Sequence, residues 1–225
     1  MRRRGFTVAL IGCDGAGKTT VARALERRPD LSARYLYMGV GPDSSRHQLP
    51  TTRLANALKR ARAAPGGRPE PAATSPRAGL VRRARRSARS ALRLANRVAE
   101  EWYRQLLAAG HLRRGRIVVF DRHFTADFHA ADVVARPRAL SRRLHGFLLT
   151  RLYPRPDLVV FLDAPARVLF ARKGEGTVAS LERRRAEYRQ FGSTLDEFAV
   201  VEATRPLEDV VAEVAAIIRE HGARR

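Results

Sequence analysis

The run Gly12-Cys13-Asp14-Gly15-Ala16-Gly17-Lys18-Thr19-Thr20 constrains this 225-residue chain more than any other. It satisfies G-x-x-x-x-G-K-[ST], with Gly12, Gly17, Lys18 and Thr19 in the four fixed places. Before it, Phe6 to Ile11 is a short apolar, partly β-branched run that reads as a buried parallel strand. After it, Thr20 to Glu26 is a helix former with apolar residues at 21, 22 and 25. Strand, glycine loop and helix follow in the order a phosphate cradle needs. The glycines permit a tight turn that points successive N–H groups inward as an anion nest. The helix that follows adds free N–H groups and the positive end of its dipole. Lys18 is placed to reach the β- and γ-phosphates and the Thr19 hydroxyl to ligate Mg²⁺. The expectation is a nucleoside triphosphate held by residues 12–20, with Asp14, Gly15, Ala16 and Thr20 completing the cradle.

At 44% hydrophobic, a chain of this length can bury one substantial α/β core, so residues 1–225 are expected to form one domain with an insertion. A single cysteine, Cys13, excludes an internal disulfide framework and suits a reducing cytoplasm. Met1-Arg2-Arg3-Arg4 before an apolar run imitates a signal peptide, but that run is six residues long and leads straight into the glycine loop. No stretch approaches the ~18 apolar residues of a membrane span. The formal charge of +22 suggests nucleic acid or an anionic surface as a partner. However, Lys18, Lys59 and Lys173 are the only lysines among 44 basic residues, a skew that GC-rich coding produces without selection for binding.

Arg34 to Met38 reads as a second strand, and Gly39 to Ser45 as a loop at its C-terminal end. That edge of a parallel sheet is where ligands sit, so the loop is either an acceptor-binding segment or a connecting turn. From Arg53 to Arg97 there are thirteen basic residues against one acid, Glu70. Ala64 to Pro71 is linker-like, and a helix starts near Ala78. On it, Leu80, Ala84, Ala88, Ala91, Ala95, Val98, Trp102 and Leu106 recur every three or four residues, which predicts an apolar face packed on the domain. The basic face is either solvated or a docking site for an anionic partner. Ile117 to Phe120 is a third strand, Pro156 to Asp163 a fourth and Leu195 to Val201 a fifth, with helices expected over about 124–152 and 207–220.

Asp121-Arg122 at the end of the third strand would face the phosphate site. The carboxylate there can hold Mg²⁺-bound water, and the arginine can grip an acceptor phosphate through its planar fork. A simple strand-end ion pair is the other reading. Residues 167–189 are dense in arginine around Gly174-Glu175-Gly176, which permits hinging, and arginines on a closing lid can stabilise a transferring phosphoryl group. His123, His129 and His145 are not spaced as a metal cluster.

The loop in its Asp-Gly-Ala-Gly-Lys-Thr-Thr form, Asp121-Arg122, Pro156-Asp157-Leu158…Leu162-Asp163-Ala164, the arginine-rich lid and Val201-Glu202-Ala203…Leu207-Glu208-Asp209-Val210 together resemble the thymidylate kinase family. The resemblance implies an α/β P-loop NTPase fold. Its elements would be a doubly wound parallel five-stranded sheet flanked by helices, and an arginine-rich lid over about 167–189. It also implies ATP and Mg²⁺, and transfer of the γ-phosphate to a nucleoside monophosphate, dTMP first among them. Lys18, Asp121 and Arg122 then become catalytic, with Thr19 and Asp121 at the metal. Some family members carry an arginine where this chain has Gly15. Here Arg172, Arg183 and Arg184 are the candidates to supply that charge from the lid. Arg205, within Thr204-Arg205-Pro206, falls where the family borders adenine, and the family also implies a homodimer. Three features depart from the pattern. Gly39 to Ser45 replaces the family's Arg-Glu-Pro-Gly-Gly-Thr, His123 replaces a tyrosine, and compact members have no counterpart to 53–97. Two other readings stand beside this one: a kinase of the same fold with another phosphorylated or sugar acceptor, and a nucleic-acid- or membrane-associated NTPase anchored by 53–97.

Overall fold

The computed structural model describes residues 5–38, 76–123 and 140–225. Its centre is β1, Thr7–Ile11, where every residue is buried. A strand flanked on both sides and covered on both faces must be apolar throughout, and Thr-Val-Ala-Leu-Ile meets that demand. β4, Leu158–Asp163, is likewise wholly buried. β2 (Ala33–Tyr37), β3 (Ile117–Asp121) and β5 (Phe198–Glu202) complete one parallel sheet in the order β2-β3-β1-β4-β5. Register pairs Val8 with Val119 on one side and with Leu158 on the other. The sequence therefore places every strand within a few residues of its position, with the fifth starting three residues later than expected.

Six helices flank this sheet among the described residues: α1 (Lys18–Arg27), α2 (Pro76–Leu112), α3 (Leu140–Arg151), α4 (Ala166–Lys173), α5 (Val178–Gly192) and α6 (Leu207–Ala223). α6 buries Val210, Val211, Val214 and Ile218 and packs on α1, β4 and β5. The chain crosses the sheet once after β2–β3 to reach β4. The loop after β1 thus sits at the topological switch point, where open α/β sheets bind ligands. Of the helix expected over 124–152, residues 124–139 lie outside the described residues, as do the Gly39–Ser45 loop and positions 53–75 of the basic segment.

The long helix α2 corrects one expectation. Of its predicted apolar face, Ala88, Ala91, Ala95, Trp102 and Leu106 are exposed and Val98 is half-buried, while the Leu80 and Ala84 side chains lie outside the described residues. The face that packs on the domain carries Glu100, Glu101, Arg104, Gln105 and Ala108. A face this polar can be buried because its charged groups are paired. Tyr153 donates its hydroxyl hydrogen to Glu101 Oε2 at 2.8 Å, Arg104 donates to the Met38 carbonyl at 2.8 Å, and Arg104 lies 3.6 Å from Glu100. Apolar periodicity could not reveal a face held by polar partners.

The starts of β1 and β4 are joined by a reciprocal pair. Asp157 Oδ2 accepts from Thr7 N at 2.8 Å and Thr7 Oγ1 at 2.7 Å, while Asp157 N donates to Thr7 Oγ1 at 2.9 Å. Burial would raise the Asp157 carboxyl, but the Thr7 hydrogen bonds, aided by Arg225, hold it below the usual carboxylate range. Asp157→Ala is expected to cost about 1–3 kcal/mol in chemical denaturation, because two donors lose their acceptor. A carboxyl depressed in the fold stabilises above its unfolded value, about 3.9, and loses that contribution as pH falls below it. Wild-type stability should therefore decline more steeply below about pH 4 than that of Asp157→Asn.

Candidate functional site

Backbone conformation builds the loop after β1. Gly12, Gly15 and Gly17 have φ of 150°, 89° and 82°, a region that side chains oppose. A Cβ on Gly12 would stand 2.6 Å from the Leu162 carbonyl oxygen, and one on Gly15 would stand 2.9 Å from that of Leu169. The second distance bears on the family comparison: α4 passes too close to Gly15 for an arginine there without a backbone shift. Gly17 caps α1, and Ala16 N donates to the Cys13 carbonyl at 3.2 Å. Lys18, 5% exposed, donates through Nζ to the carbonyls of Gly12 at 2.8 Å and Cys13 at 2.7 Å. Its charge is thus held inside the loop's concavity. Thr20 is exposed on the first turn of α1.

Thr19 and Asp121 meet across the sheet edge. Thr19 Oγ1 donates to Asp121 Oδ2 at 2.5 Å, and Tyr35 Oη donates to the same oxygen at 3.3 Å. Asp121 is fully buried, and its Oδ1 has no hydrogen-bond partner among the described residues. A buried carboxylate oxygen without a donor, beside a hydroxyl, fits a hard cation that takes oxygen ligands and keeps its own waters. The described residues hold no cluster of three or more His, Cys, Asp or Glu suited to a metal. His123 is buried against Phe120, 5.2 Å between ring centroids, and burial pushes its imidazole down to about 3. His129 and the His145 side chain lie outside the described residues.

Arg122 adopts φ 60°, the only left-handed non-glycine among the described residues, and its guanidinium pairs with Asp14 Oδ1 at the loop mouth. Burial would raise the Asp14 carboxyl, but Arg122, then Lys18 and Lys173, hold it below the usual range. The pairing realises a strand-end ion pair, with the arginine at the loop rather than reaching away from it.

The lid positions divide into two groups. Arg183 and Arg184 on α5 line a cavity of about 400 Å³ together with Gly12, Asp14, Arg122 and Glu175. Arg172 instead donates to the Ala203 carbonyl at 2.8 Å, tying α4 to the loop after β5. Arg205, in that loop, pairs with Glu213 of α6. The glycines between α4 and α5 are turn-formers: Gly174 caps α4 at φ 67°, Gly176 has φ 76°, and Thr177 and Ser180 form a reciprocal capping box on α5. Cys13 is buried, with its Sγ 3.6 Å from the Leu181 carbonyl, and burial pushes its thiol up to about 11, which leaves it inert at neutral pH.

Two features of the site were not found from the sequence. Asp163, at the end of β4, accepts from Arg185 Nε at 2.7 Å and Nη2 at 3.0 Å, and from Arg189 Nη2 at 2.6 Å. This bidentate clasp fixes α5 to the sheet and leaves Arg183 and Arg184 at the cavity. The Asp163 and Arg185 positions are 22 residues apart, and no local pattern links them. The other feature is the Glu100-Glu101-Arg104 face of α2. It ends on Met38, whose N donates to the Asp121 carbonyl at 3.0 Å, so this network borders the Asp121 end of the sheet. A larger hollow of about 980 Å³, lined by Phe6, Leu31, Arg113 and Arg219, lies at the opposite end of the strands, away from the loop.

A glycine loop between β1 and α1 at the switch point of a parallel sheet, with a buried lysine, a threonine and a strand-end aspartate converging on it, defines an α/β P-loop nucleotide-binding protein. A family model described as AAA domain matches residues 7–209, and the chain belongs to that family. Among curated proteins it is similar to the thymidylate kinase of Xanthomonas campestris pv. campestris, 28% identical over 223 residues, covering 95% of this chain and 83% of that one. It is also similar to the thymidylate kinase of Thermosipho africanus, 26% identical over 121 residues, 49% of this chain and 59% of that one. The solved thymidylate kinase of Candida albicans shares the fold, with a TM-score of 0.59 at 19% identity over 97% of this chain and 94% of that structure. The chain is a divergent thymidylate kinase-like protein with the P-loop NTPase fold. Among the described residues no helix is long and apolar enough to cross a membrane.

Proposed function

We propose that the protein is an ATP-dependent phosphotransferase that moves the γ-phosphate of ATP to a nucleoside monophosphate, dTMP first among the candidates. The observation that carries this reading is the convergence of Lys18, the Thr19–Asp121 pair and the Arg122–Asp14 pair at one strand edge, with Arg183 and Arg184 across a cavity. Residues 12–20 cradle the phosphates of ATP through backbone N–H groups, and Lys18 exchanges its loop carbonyls for phosphate oxygens. Thr19 and Asp121 hold Mg²⁺, which neutralises charge on the phosphates when bound. Arg183 and Arg184 face the charge that builds during transfer, and Arg122 swings from Asp14 to an acceptor phosphate. Arg172 acts at one remove by bracing the Ala203–Arg205 loop, which we assign to the adenine side.

The chain is read as one kinase domain with α4–α5 as its lid, acting in the cytoplasm as a homodimer. The basic 53–97 segment is available to an anionic partner. A kinase with another phosphorylated or sugar acceptor is the second reading, because the segment replacing the family's acceptor loop is this chain's own. ADP release from the purified protein with MgATP and a panel of dTMP, dUMP, other nucleoside monophosphates and sugar phosphates tests both. Strong stimulation by dTMP supports the first reading, stimulation by another acceptor alone transfers the assignment to it, and stimulation by none refutes both.

The Asp163 clasp yields a separate expectation. Asp163→Ala frees α5, so kcat should fall about 10- to 100-fold through misplacement of Arg183 and Arg184. Nucleotide affinity, measured by titration, should change little, because no phosphate-cradling group is touched. An unaltered kcat would mean that the clasp does not position the arginines.

A further inference from the structure

The hollow of about 980 Å³ at the N-terminal ends of the strands has the make-up of a second ligand site. It lies where the chain enters β1, β2 and β3, beside Phe6, Leu31 and Ile117, and α6 borders it with Ile218 and Arg219. Phe6, Leu31 and Ile218 belong to the core, so the wall they present is apolar. The mouth is basic: Arg113 and Arg114, on the turn after α2, and Arg219, on α6, are all exposed.

The protein does not balance this charge itself. Asp30 is the one acid among the described residues that line the hollow, and its carboxylate is already taken. It accepts from Arg28 Nε at 2.9 Å and Nη2 at 3.1 Å, and from Arg219 Nη1 at 3.3 Å. Among the described residues the Arg114 side chain reaches only the Gly110 carbonyl, at 3.0 Å, and Arg113 forms no ion pair. Guanidinium groups set around an opening, with no carboxylate left to meet them, suit an oxyanion that accepts several N–H donors. A bare anion would leave the apolar wall unused, since a hollow of this size suits a ligand with a body.

We propose that this hollow binds an organic phosphate monoester. Arg113, Arg114 and Arg219 hold the phosphate, and an aromatic or aliphatic body lies on Phe6, Leu31 and Ile218. A monoester fits better than a carboxylate, because a near-dianion with three acceptor oxygens engages more than one guanidinium at a time. The site goes beyond the kinase reading and does not rest on it. No described lining residue belongs to the phosphate loop, the Thr19–Asp121 pair or α5. The length of β1, roughly 17 Å at the rise of a strand, separates the two ends of the sheet, so each can fill without the other.

Calorimetric titration of the full chain with naphthyl phosphate, in saturating MgADP to keep the probe off the loop, tests the assignment. One molecule should bind per chain with a Kd below about 1 mM, as expected for a ligand of this size. Inorganic phosphate and naphthol each carry half of the recognised chemistry and should bind about 10-fold or more weakly. Naphthoate, a monoanion, should fall between. Arg113→Glu changes an exposed residue, so the variant should keep wild-type circular dichroism while binding naphthyl phosphate about 10-fold or more weakly. Arg143→Glu makes the same change of charge at an exposed position on α3 and should leave binding unaltered. Equal losses in the two variants would make binding a response to the overall charge and overturn the proposal. Naphthoate binding as tightly as naphthyl phosphate would overturn it too, as would a wild-type chain that takes up no probe. Lys18→Ala protein should bind the probe as wild type does, whatever its turnover, so failure of the kinase reading and failure of this one appear in different measurements.

Discussion

Lys18→Ala protein is expected to turn over ATP about 10²- to 10³-fold more slowly than wild type, the loss typical when one charge-stabilising donor leaves a reacting centre. The magnitude follows from where the ammonium sits. It is nearly sealed from water, and the carbonyls of Gly12 and Cys13 aim it into the loop rather than toward solvent. In such surroundings a charge acts with little screening, so no exposed arginine nearby can replace it. Lys18→Arg should not restore activity, because a planar guanidinium cannot occupy the pocket of a compact ammonium. Circular dichroism should remain that of the folded chain, since the loop is shaped by its glycines and not by this side chain. Turnover equal to wild type would remove the phosphate-cradle assignment.

Asp121→Asn is expected to raise the Mg²⁺ concentration needed for half-maximal turnover, by about 10- to 100-fold, while leaving the fold intact. The substitution is nearly isosteric, and its remaining carbonyl oxygen can still accept from Thr19 Oγ1 and Tyr35 Oη. What it removes is the negative charge and the second oxygen, the one that has no donor among the described residues. A buried polar atom without a partner carries a cost, and a bound cation is the occupant that would offset it here. Magnesium titration of the two proteins at saturating ATP separates the effects. An unchanged Mg²⁺ requirement would make Asp121 a structural acceptor for Thr19 and nothing more.

Much of the fold was legible because it is carried by local signals. Continuous apolar runs mark β1, β3 and β4, and the glycine loop pins the first crossover. The same reasoning puts Lys18, Thr19, Asp121 and Arg122 at one strand edge, where the structure pairs Thr19 with Asp121 and Arg122 with Asp14, and holds Lys18 on the Gly12 and Cys13 carbonyls. It fails on α2, where apolar spacing points to the wrong face as the buried one. That inference assumes burial is driven by apolar area alone. Here Tyr153 satisfies Glu101, Arg104 is held by the Met38 carbonyl and Glu100, and the apolar stripe is left outside. The lid was legible as a segment but not in its working parts. Arginines 172, 183, 184, 185 and 189 look alike in sequence, and only tertiary partners sort them. Arg172 braces a loop, Arg185 and Arg189 hold Asp163, and Arg183 and Arg184 line the cavity.

Transfer of label from γ-³²P-ATP, with products separated after a single turnover, distinguishes a kinase from a hydrolase. Radioactivity should leave ATP only when Mg²⁺ and a nucleoside monophosphate are both present, and it should appear in the nucleoside diphosphate, with dTMP the best acceptor. Label released as inorganic phosphate at the same rate with or without any acceptor would contradict the kinase reading. The protein would then be a hydrolase on a kinase-like fold.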